Sequence, residues 1–148
     1  MYDHRLIRRV AFHETDMAGI VHFTNLFCYL EEAEAGLFRA LELGPLDRIW
    51  GGGPKGLGWV RRKVGLEFLA PARLDQELEV HLWVAAVKSR GLNLGARIVR
   101  AGKIIAQGRI ETVCVRQTSA GPKACAIPKK FLHRLEVAPW GEDWPPGN

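Results

Sequence analysis

The sequence predicts an α+β domain in which an antiparallel sheet curves around one long helix. From Asn25 to the Gly44-Pro45 pair, apolar residues recur at the 3.6-residue period of a helix with one buried face. Four later segments alternate apolar and polar residues, which is typical of strands in a sheet with one buried face. In a chain this short, the apolar helix stripe and the apolar sheet face must cover each other.

The size and composition fit a single domain over residues 1–148. The chain has 47% hydrophobic and 25% charged residues, which excludes a disordered, collagen-like or coiled-coil protein. We expect the core to span residues 5–133 and the tail, 134–148, to be irregular. No apolar run reaches the roughly 20 residues that a membrane-spanning helix needs. The charged N-terminus has no apolar signal region, so we expect a cytoplasmic protein without membrane contact.

About five strands are expected, in the order β, α, β, β, β, β. Residues 5–12 form the first predicted strand, and a polar loop follows from His13. The Gly-rich segment 51–56 is predicted to be a loop. Two short turns, at Ser89-Arg90-Gly91 and at Ala101-Gly102, link consecutive strands as hairpins. The four later strands are predicted at residues 59–69, 77–87, 92–100 and 103–116.

The predicted helix carries its own start and stop signals. Thr24 or Asn25 can cap its first turn, and Gly44-Pro45 ends it. Gly36 lies in the middle of the helix, where glycine costs about 1 kcal/mol relative to alanine. We therefore expect Gly36 to mark a close approach between the helix and the sheet.

Charge and cysteine content limit the possible ligands. The formal net charge is +5, but the basic residues form short, scattered groups, which favours a small polyanionic ligand over nucleic acid. The three cysteines show neither a CxxC pair nor Cys/His metal-ligand spacing, so we expect no metal site.

One motif resembles a known family. The run Asp16-Met17-Ala18-Gly19-Ile20-Val21, followed by Asn25 and a long helix, resembles the signature of hotdog-fold acyl-CoA thioesterases of the 4-hydroxybenzoyl-CoA thioesterase family. The resemblance covers about residues 5–133 and implies the hotdog fold. Later landmarks that also resemble the family are Phe68-Leu69-Ala70-Pro71-Ala72 with Asp75, Gly91, Gly121-Pro122-Lys123 and Ile127-Pro128.

The resemblance assigns the catalytic carboxylate to Asp16. Such a group can attack the thioester carbonyl directly or deprotonate a water molecule, and the sequence leaves both routes open. The N-terminus of the following helix would supply N–H groups for the developing oxyanion. On residue type alone, Asp16 could instead be a turn or helix cap.

Neighbouring residues are weaker candidates. His22 and Phe23 would shape the acyl pocket together with Met17. Some relatives carry a functional His at the position that Phe23 occupies here, so the resemblance does not support an Asp/His pair. His13 could act as a base.

Other hotdog enzymes place a carboxylate on the central helix, which makes Glu31 and Glu32 candidates, although glutamates on such a helix are usually solvated. Glu14 is likewise expected to be solvated.

The resemblance also implies a site for coenzyme A, which is part of the substrate rather than a separate cofactor. Its phosphates would meet Lys88 and Arg90 at a hairpin turn and Lys123 in a later loop. The basic group 61–63 has no clear counterpart in that role. Alternation places Arg62 on the opposite face from its neighbours, so at most part of the group could meet a ligand. An edge strand in so small a sheet favours a homodimer or homotetramer.

The implied reaction is hydrolysis of aromatic acyl-CoA, such as 4-hydroxybenzoyl- or 1,4-dihydroxy-2-naphthoyl-CoA, or of short-chain acyl-CoA. Trp50, Trp59, Phe23 and Phe27 could line an aromatic pocket, or could be ordinary core residues. The alternatives are a non-catalytic protein that binds acyl-CoA or acyl carrier protein, a basic nucleic-acid-binding module, and a dehydratase of the same fold. The last two are disfavoured by the scattered basic groups and by the Asp16 loop.

Overall fold

A computed structural model gives the structure of residues 1–43 and 56–143. The expected helix end at Gly44-Pro45, most of the Gly-rich loop, Trp50 and the last five residues of the tail lie outside these residues. The elements are β1 (Asp3–Arg9), a 3-10 turn (Phe12–Glu14), α1 (Phe23–Ala40), β2 (Leu57–Phe68), β3 (Glu77–Lys88), β4 (Gly91–Arg100), β5 (Lys103–Thr118), β6 (Gly121–Ala124) and α2 (Lys129–Leu132).

All strands pair antiparallel in one sheet with the order β1-β3-β4-β5-β2. The short β6 pairs with the end of β5, beyond the point where β4 begins. The α+β prediction is confirmed, with a sixth strand in addition to the expected five. That strand is only four residues long and includes Pro122, so neither alternation nor β-propensity signals it.

The core lies between α1 and one face of the sheet. Tyr29, Ala33 and Leu37 are fully buried on the helix, as are the inward-facing residues of β3 and β4. Gly36 allows the helix to approach β1 closely, because a Cβ atom there would lie 2.3 Å from Nε2 of His4. The expected close packing at Gly36 is therefore confirmed.

The end of β1 and the start of α1 differ from the sequence prediction. β1 ends at Arg9, because residues Phe12–Glu14 form a 3-10 turn in which the Ala11 N–H donates to the Glu14 side chain (2.8 Å). The helix starts at Phe23, and His22 is its N-cap residue rather than Thr24 or Asn25. The His22 side chain accepts from the Thr24 N–H (3.4 Å), a role that the usual cap preferences do not indicate.

The tail covers part of the outer face of the sheet. Residues 134–143 form no helix or strand, as expected, but the Ala138 N–H donates to the Val84 carbonyl (2.8 Å). The Trp140 ring meets the Trp83 ring nearly edge-on at 6.2 Å between centroids. Trp83 lies directly over Gly95, where a Cβ atom would be 2.1 Å from the indole. The tail therefore belongs to the folded domain. No helix within the two described ranges is long and apolar enough to cross a bilayer.

Candidate active site

Asp16 lies at the tip of a narrow loop that folds back on itself. Thr15 pairs with Val21, and the Asp16 N–H donates to the Ile20 carbonyl (2.8 Å). Oδ1 of Asp16 accepts from the Ala18 N–H (2.8 Å), so the side chain does cap its own turn. Its other oxygen, Oδ2, accepts no hydrogen bond from residues 1–43 or 56–143. The half-exposed carboxylate thus keeps one oxygen for chemistry while the turn fixes its orientation.

Glu14 fastens this loop to the start of α1. Its backbone carbonyl accepts from the His22 N–H (2.9 Å) and from Nδ2 of Asn25 (2.8 Å). The two ends of the loop are therefore held together at the first turn of the helix. Because Asp16 is only two residues away, its position relative to the helix N-terminus depends on these bonds.

The Glu14 side chain is buried, contrary to the expectation that it is solvated. It is 5% exposed, and both of its oxygens accept from Nη2 of Arg8 (2.9 and 3.0 Å). Nη1 of Arg8 donates to Glu32 (2.9 Å), and the guanidinium lies 4.0 Å from the centre of the Tyr29 ring. Burial raises the pKa of Tyr29, and the nearby Glu14 carboxylate adds to this, so the phenol stays neutral. This cluster joins β1, the loop and α1.

The other polar candidates from the sequence, Glu31, Glu32, His13 and His22, form no hydrogen bond with the Asp16 side chain. Glu31 is exposed, and Glu32 is held in its ion pair with Arg8. His13 is exposed. The exposed His22 ring contacts Oγ1 of Thr24 through Nδ1 (2.7 Å) and stacks on the Phe23 ring at 4.9 Å.

The N-terminus of α1 presents an open donor. N–H groups in the first turn have no partner within a helix. The Asn25 N–H donates to the His22 carbonyl (2.8 Å), and the Thr24 N–H donates to the His22 side chain. The Phe23 N–H has no such partner in the part of the chain that the structure covers. The positive end of the helix dipole therefore faces the Asp16 loop with a free donor.

An apolar cavity opens beside this helix end. It has a volume of ≈ 430 Å³ and lies between residues 20–26 and 68–72. Phe23 and Phe68 form part of its wall, with their rings 6.0 Å apart in an edge-on contact. Ile20 also lines the cavity, and its backbone carbonyl accepts the hydrogen bond from the Asp16 N–H. Phe68 and its neighbours were expected only as landmarks, since their sequence alone does not show that they face the loop.

Trp59 and Phe27, which were predicted for the aromatic pocket, are not among the residues that line the cavity. Trp59 is buried against Phe38, with ring centroids 5.5 Å apart, and belongs to the core. The Phe27 ring meets the Phe68 ring edge-on, with 6.3 Å between their centroids. Met17 is fully exposed at the tip of the loop.

A basic groove of ≈ 190 Å³ lies at the β3–β4 turn. Lys88 and Arg90 line it, as does Arg62, which pairs with Glu111 (2.5 Å). Arg62 points to the opposite face from Arg61, as alternation predicts, since Arg61 pairs with Glu34 on α1. Lys123 is not among the lining residues and lies on β6 opposite Arg116.

A buried carboxylate on α1 was not predicted. Glu34 is 2% exposed and forms an ion pair with Arg61. Burial raises the pKa of Glu34, while the Arg61 guanidinium opposes that shift. Glu34 is about 16 Å along the helix from Phe23, so it connects α1 to β2 away from the cavity.

Sequence and structure comparisons place the chain among thioesterases. Residues 10–135 match the family described as the thioesterase-like superfamily. The acyl-CoA thioester hydrolase YbgC of Escherichia coli O6:H1 is 26% identical over 125 residues, which are 84% of this chain and 89% of that protein.

Two solved structures share the fold. A hypothetical protein from Aquifex aeolicus has a TM-score of 0.78 and 28% identity, covering 89% of this chain and 98% of the other. The 4-hydroxybenzoyl-CoA thioesterase of Pseudomonas sp. has a TM-score of 0.82 and 16% identity, covering 91% of this chain and 100% of that enzyme. The hotdog fold implied by the Asp16 motif is confirmed.

The Arg8–Glu14 pair should contribute more to stability than an exposed pair on the same strand. Arg8→Met leaves the buried Glu14 carboxylate without its cation, and we expect a loss of about 3 kcal/mol in the free energy of unfolding. Arg5→Met removes only the exposed contact with Glu79 and should cost less than about 1 kcal/mol. Urea unfolding of both variants measures the difference. Equal, small losses would contradict the assigned role.

Proposed function

The chain belongs to the thioesterase-like superfamily and is a thioester hydrolase, and from that premise we propose that it hydrolyses acyl-CoA thioesters with the Asp16 carboxylate. One observation carries this proposal: Asp16, with one unbonded carboxylate oxygen, lies on a loop that is fastened to the open N-terminus of α1, and residues of this same loop and helix end line an apolar cavity. A carboxylate, an oxyanion donor and an acyl-binding cavity are the groups that thioester hydrolysis needs.

In the proposed reaction, the thioester carbonyl oxygen accepts from the Phe23 N–H and the acyl group enters the cavity. Asp16 then attacks the carbonyl carbon, the CoA thiolate leaves, and water hydrolyses the resulting anhydride. In the alternative route, Asp16 takes a proton from water, the hydroxide attacks the same carbon, and the C–S bond breaks so that the CoA thiolate leaves and takes up the proton. Both routes place negative charge on the carbonyl oxygen, which the helix N-terminus stabilises. Aromatic and short-chain acyl groups both remain within this proposal.

We assign His22 and Phe23 to substrate binding. Phe23 lines the cavity, and the stacked His22 ring extends its wall towards solvent. The His22 ring is held by its contact with Thr24, which favours a positioning and packing role over that of a base.

The phosphates of CoA would bind in the basic groove. Lys88 and Arg90 lie at one end of β3, whereas the Asp16 loop lies near its other end, where the Val10 N–H donates to the Gln76 carbonyl. The 12 residues of β3 span about 36 Å when extended, which exceeds the reach of the pantetheine arm. The groove of one chain therefore serves the Asp16 of another.

An antiparallel dimer through β2 would bring these parts together. β2 is an edge strand, and Val64 and Phe68 along it are 36% and 49% exposed. Pairing it with a second copy about a two-fold axis would hide these side chains. The Leu57 end of one β2 would then lie towards the Phe68 end of the other. In a homotetramer, two such dimers would associate.

The first prediction concerns the reacting group. Asp16→Asn keeps the turn acceptor but removes the charge, and we expect thiol release from acyl-CoA to fall at least about 100-fold. Asp75→Asn is the matched control, because Asp75 is also a loop aspartate but lies in the turn before β3. A variant at position 16 that retains turnover would refute the assignment.

Removing cations from the groove should weaken binding without slowing chemistry. Lys88→Ala and Arg90→Ala are expected to raise KM for acyl-CoA about tenfold at unchanged kcat, and to spare acyl-pantetheine, which lacks these phosphates. Lys123→Ala tests the remaining predicted contact, and Lys103→Ala, at the opposite hairpin turn, is the control. Equal losses on both substrates would argue against phosphate contacts.

Complementation tests whether two chains share a site. Asp16→Asn protein and Lys88→Ala/Arg90→Ala protein are unfolded, mixed in equal amounts and refolded, with each refolded alone as a control. If the groove serves a partner's Asp16, random pairing should restore about a quarter of wild-type activity at subsaturating acyl-CoA. Light scattering should show two or four chains. Monomers, or a mixture no more active than the average of its components, would contradict the shared site.

A further inference from the structure

We propose that the cavity beside Asp16 selects acyl groups that carry no polar substituent, namely unsubstituted aliphatic or aromatic groups. The inference rests on the proposed function, since it takes this cavity as the acyl-binding site. It narrows that function to one chemical class of substrate.

Among residues 1–43 and 56–143, the side chains that line the cavity are all hydrocarbon. Phe23 and Leu26 face it from α1, Ile20 and Val21 from the Asp16 loop, and residues 68–72 from the segment after β2. None of these residue types carries a side-chain hydrogen-bond donor or acceptor. A hydroxyl on the acyl group would therefore find no side-chain partner in this chain's wall.

Much of the backbone around the cavity is also committed. The Val21 N–H donates to the Ala72 carbonyl (2.8 Å), and the Leu69 and Ala70 N–H groups both donate to the Ile105 carbonyl (2.8 and 3.1 Å). Pro71 has no N–H, and its carbonyl accepts from Arg100 (2.5 Å). These groups hold the wall in place and are not available to a ligand.

The open donor of the site lies at the reacting end. The Phe23 N–H is at the helix N-terminus, where the proposed reaction uses it for the thioester oxygen. A hydroxyl at the far end of an acyl group would lose its water without gaining a partner. We expect this to weaken binding about tenfold relative to the unsubstituted group. The chain would then differ from the Pseudomonas enzyme, whose name gives 4-hydroxybenzoyl-CoA as its substrate.

Binding of thioethers tests the cavity separately from the chemistry, because a thioether has no carbonyl to hydrolyse. Calorimetry would compare S-benzyl-CoA, S-(4-hydroxybenzyl)-CoA and S-hexyl-CoA on the wild-type protein. We expect the benzyl and hexyl compounds to bind at least about tenfold more tightly than the hydroxylated compound. Equal affinities, a preference for the hydroxyl, or no binding of any thioether would overturn the proposal.

A designed donor gives a second readout. Leu69 is 48% exposed and lines the cavity, so Leu69→Gln can introduce an amide at its rim with little effect on folding. This variant should reduce the preference for S-benzyl-CoA over the hydroxylated compound, whereas the control Leu69→Met should leave it unchanged. If both variants keep the wild-type preference, the benzyl ring does not bind in this cavity and the proposal is wrong. The proposed function is tested by a different result: it fails if Asp16→Asn retains thiol release.

Discussion

The carbonyl and carboxylate of Glu14 hold the candidate active site together. The carbonyl accepts from the His22 backbone and from the Asn25 side chain, so it fixes the Asp16 loop to the first turn of α1. The carboxylate is held by Arg8, which comes from β1 and lies against Tyr29. Since buried charges are stable only when paired, the geometry of the loop depends on this contact between strand, loop and helix.

Given that anchor, the rest of the site follows from the position of α1. The helix lies against the sheet with Gly36 close to β1, and its N-terminus opens towards residues 68–72 at the end of β2. Phe23, at this N-terminus, and Ile20 and Val21 of the Asp16 loop line the cavity. The basic groove lies near the opposite end of the sheet, at the β3–β4 turn, where Arg62 of β2 lines it together with Lys88 and Arg90. The proposed sharing of the site between two chains follows from this separation.

The sequence predicted the regular elements well and the local interactions less well. β3 and β4 match their predicted ranges within one residue, because the short turns at residues 89–91 and 101–102 bound them clearly. Glu14 was misjudged because its partner Arg8 lies on the preceding strand, and pairing across a turn leaves no periodic signal. Arg62 was not assigned to the phosphate site because alternation gives the face of a residue but not which turn of the neighbouring strands lies beside it. The placement of Asp16 at a helix N-terminus was expected from the motif, whereas the cavity wall required the fold.

A structure of the Asp16→Asn variant with bound hexanoyl-CoA tests the central claim most directly, because the account fixes where each part of the substrate lies. It predicts the acyl chain in the cavity between Phe23 and Phe68, the thioester oxygen within hydrogen-bond distance of the Phe23 N–H, and the phosphates against Lys88 and Arg90 of the partner chain. A thioester bound away from the helix N-terminus and from position 16 would contradict it.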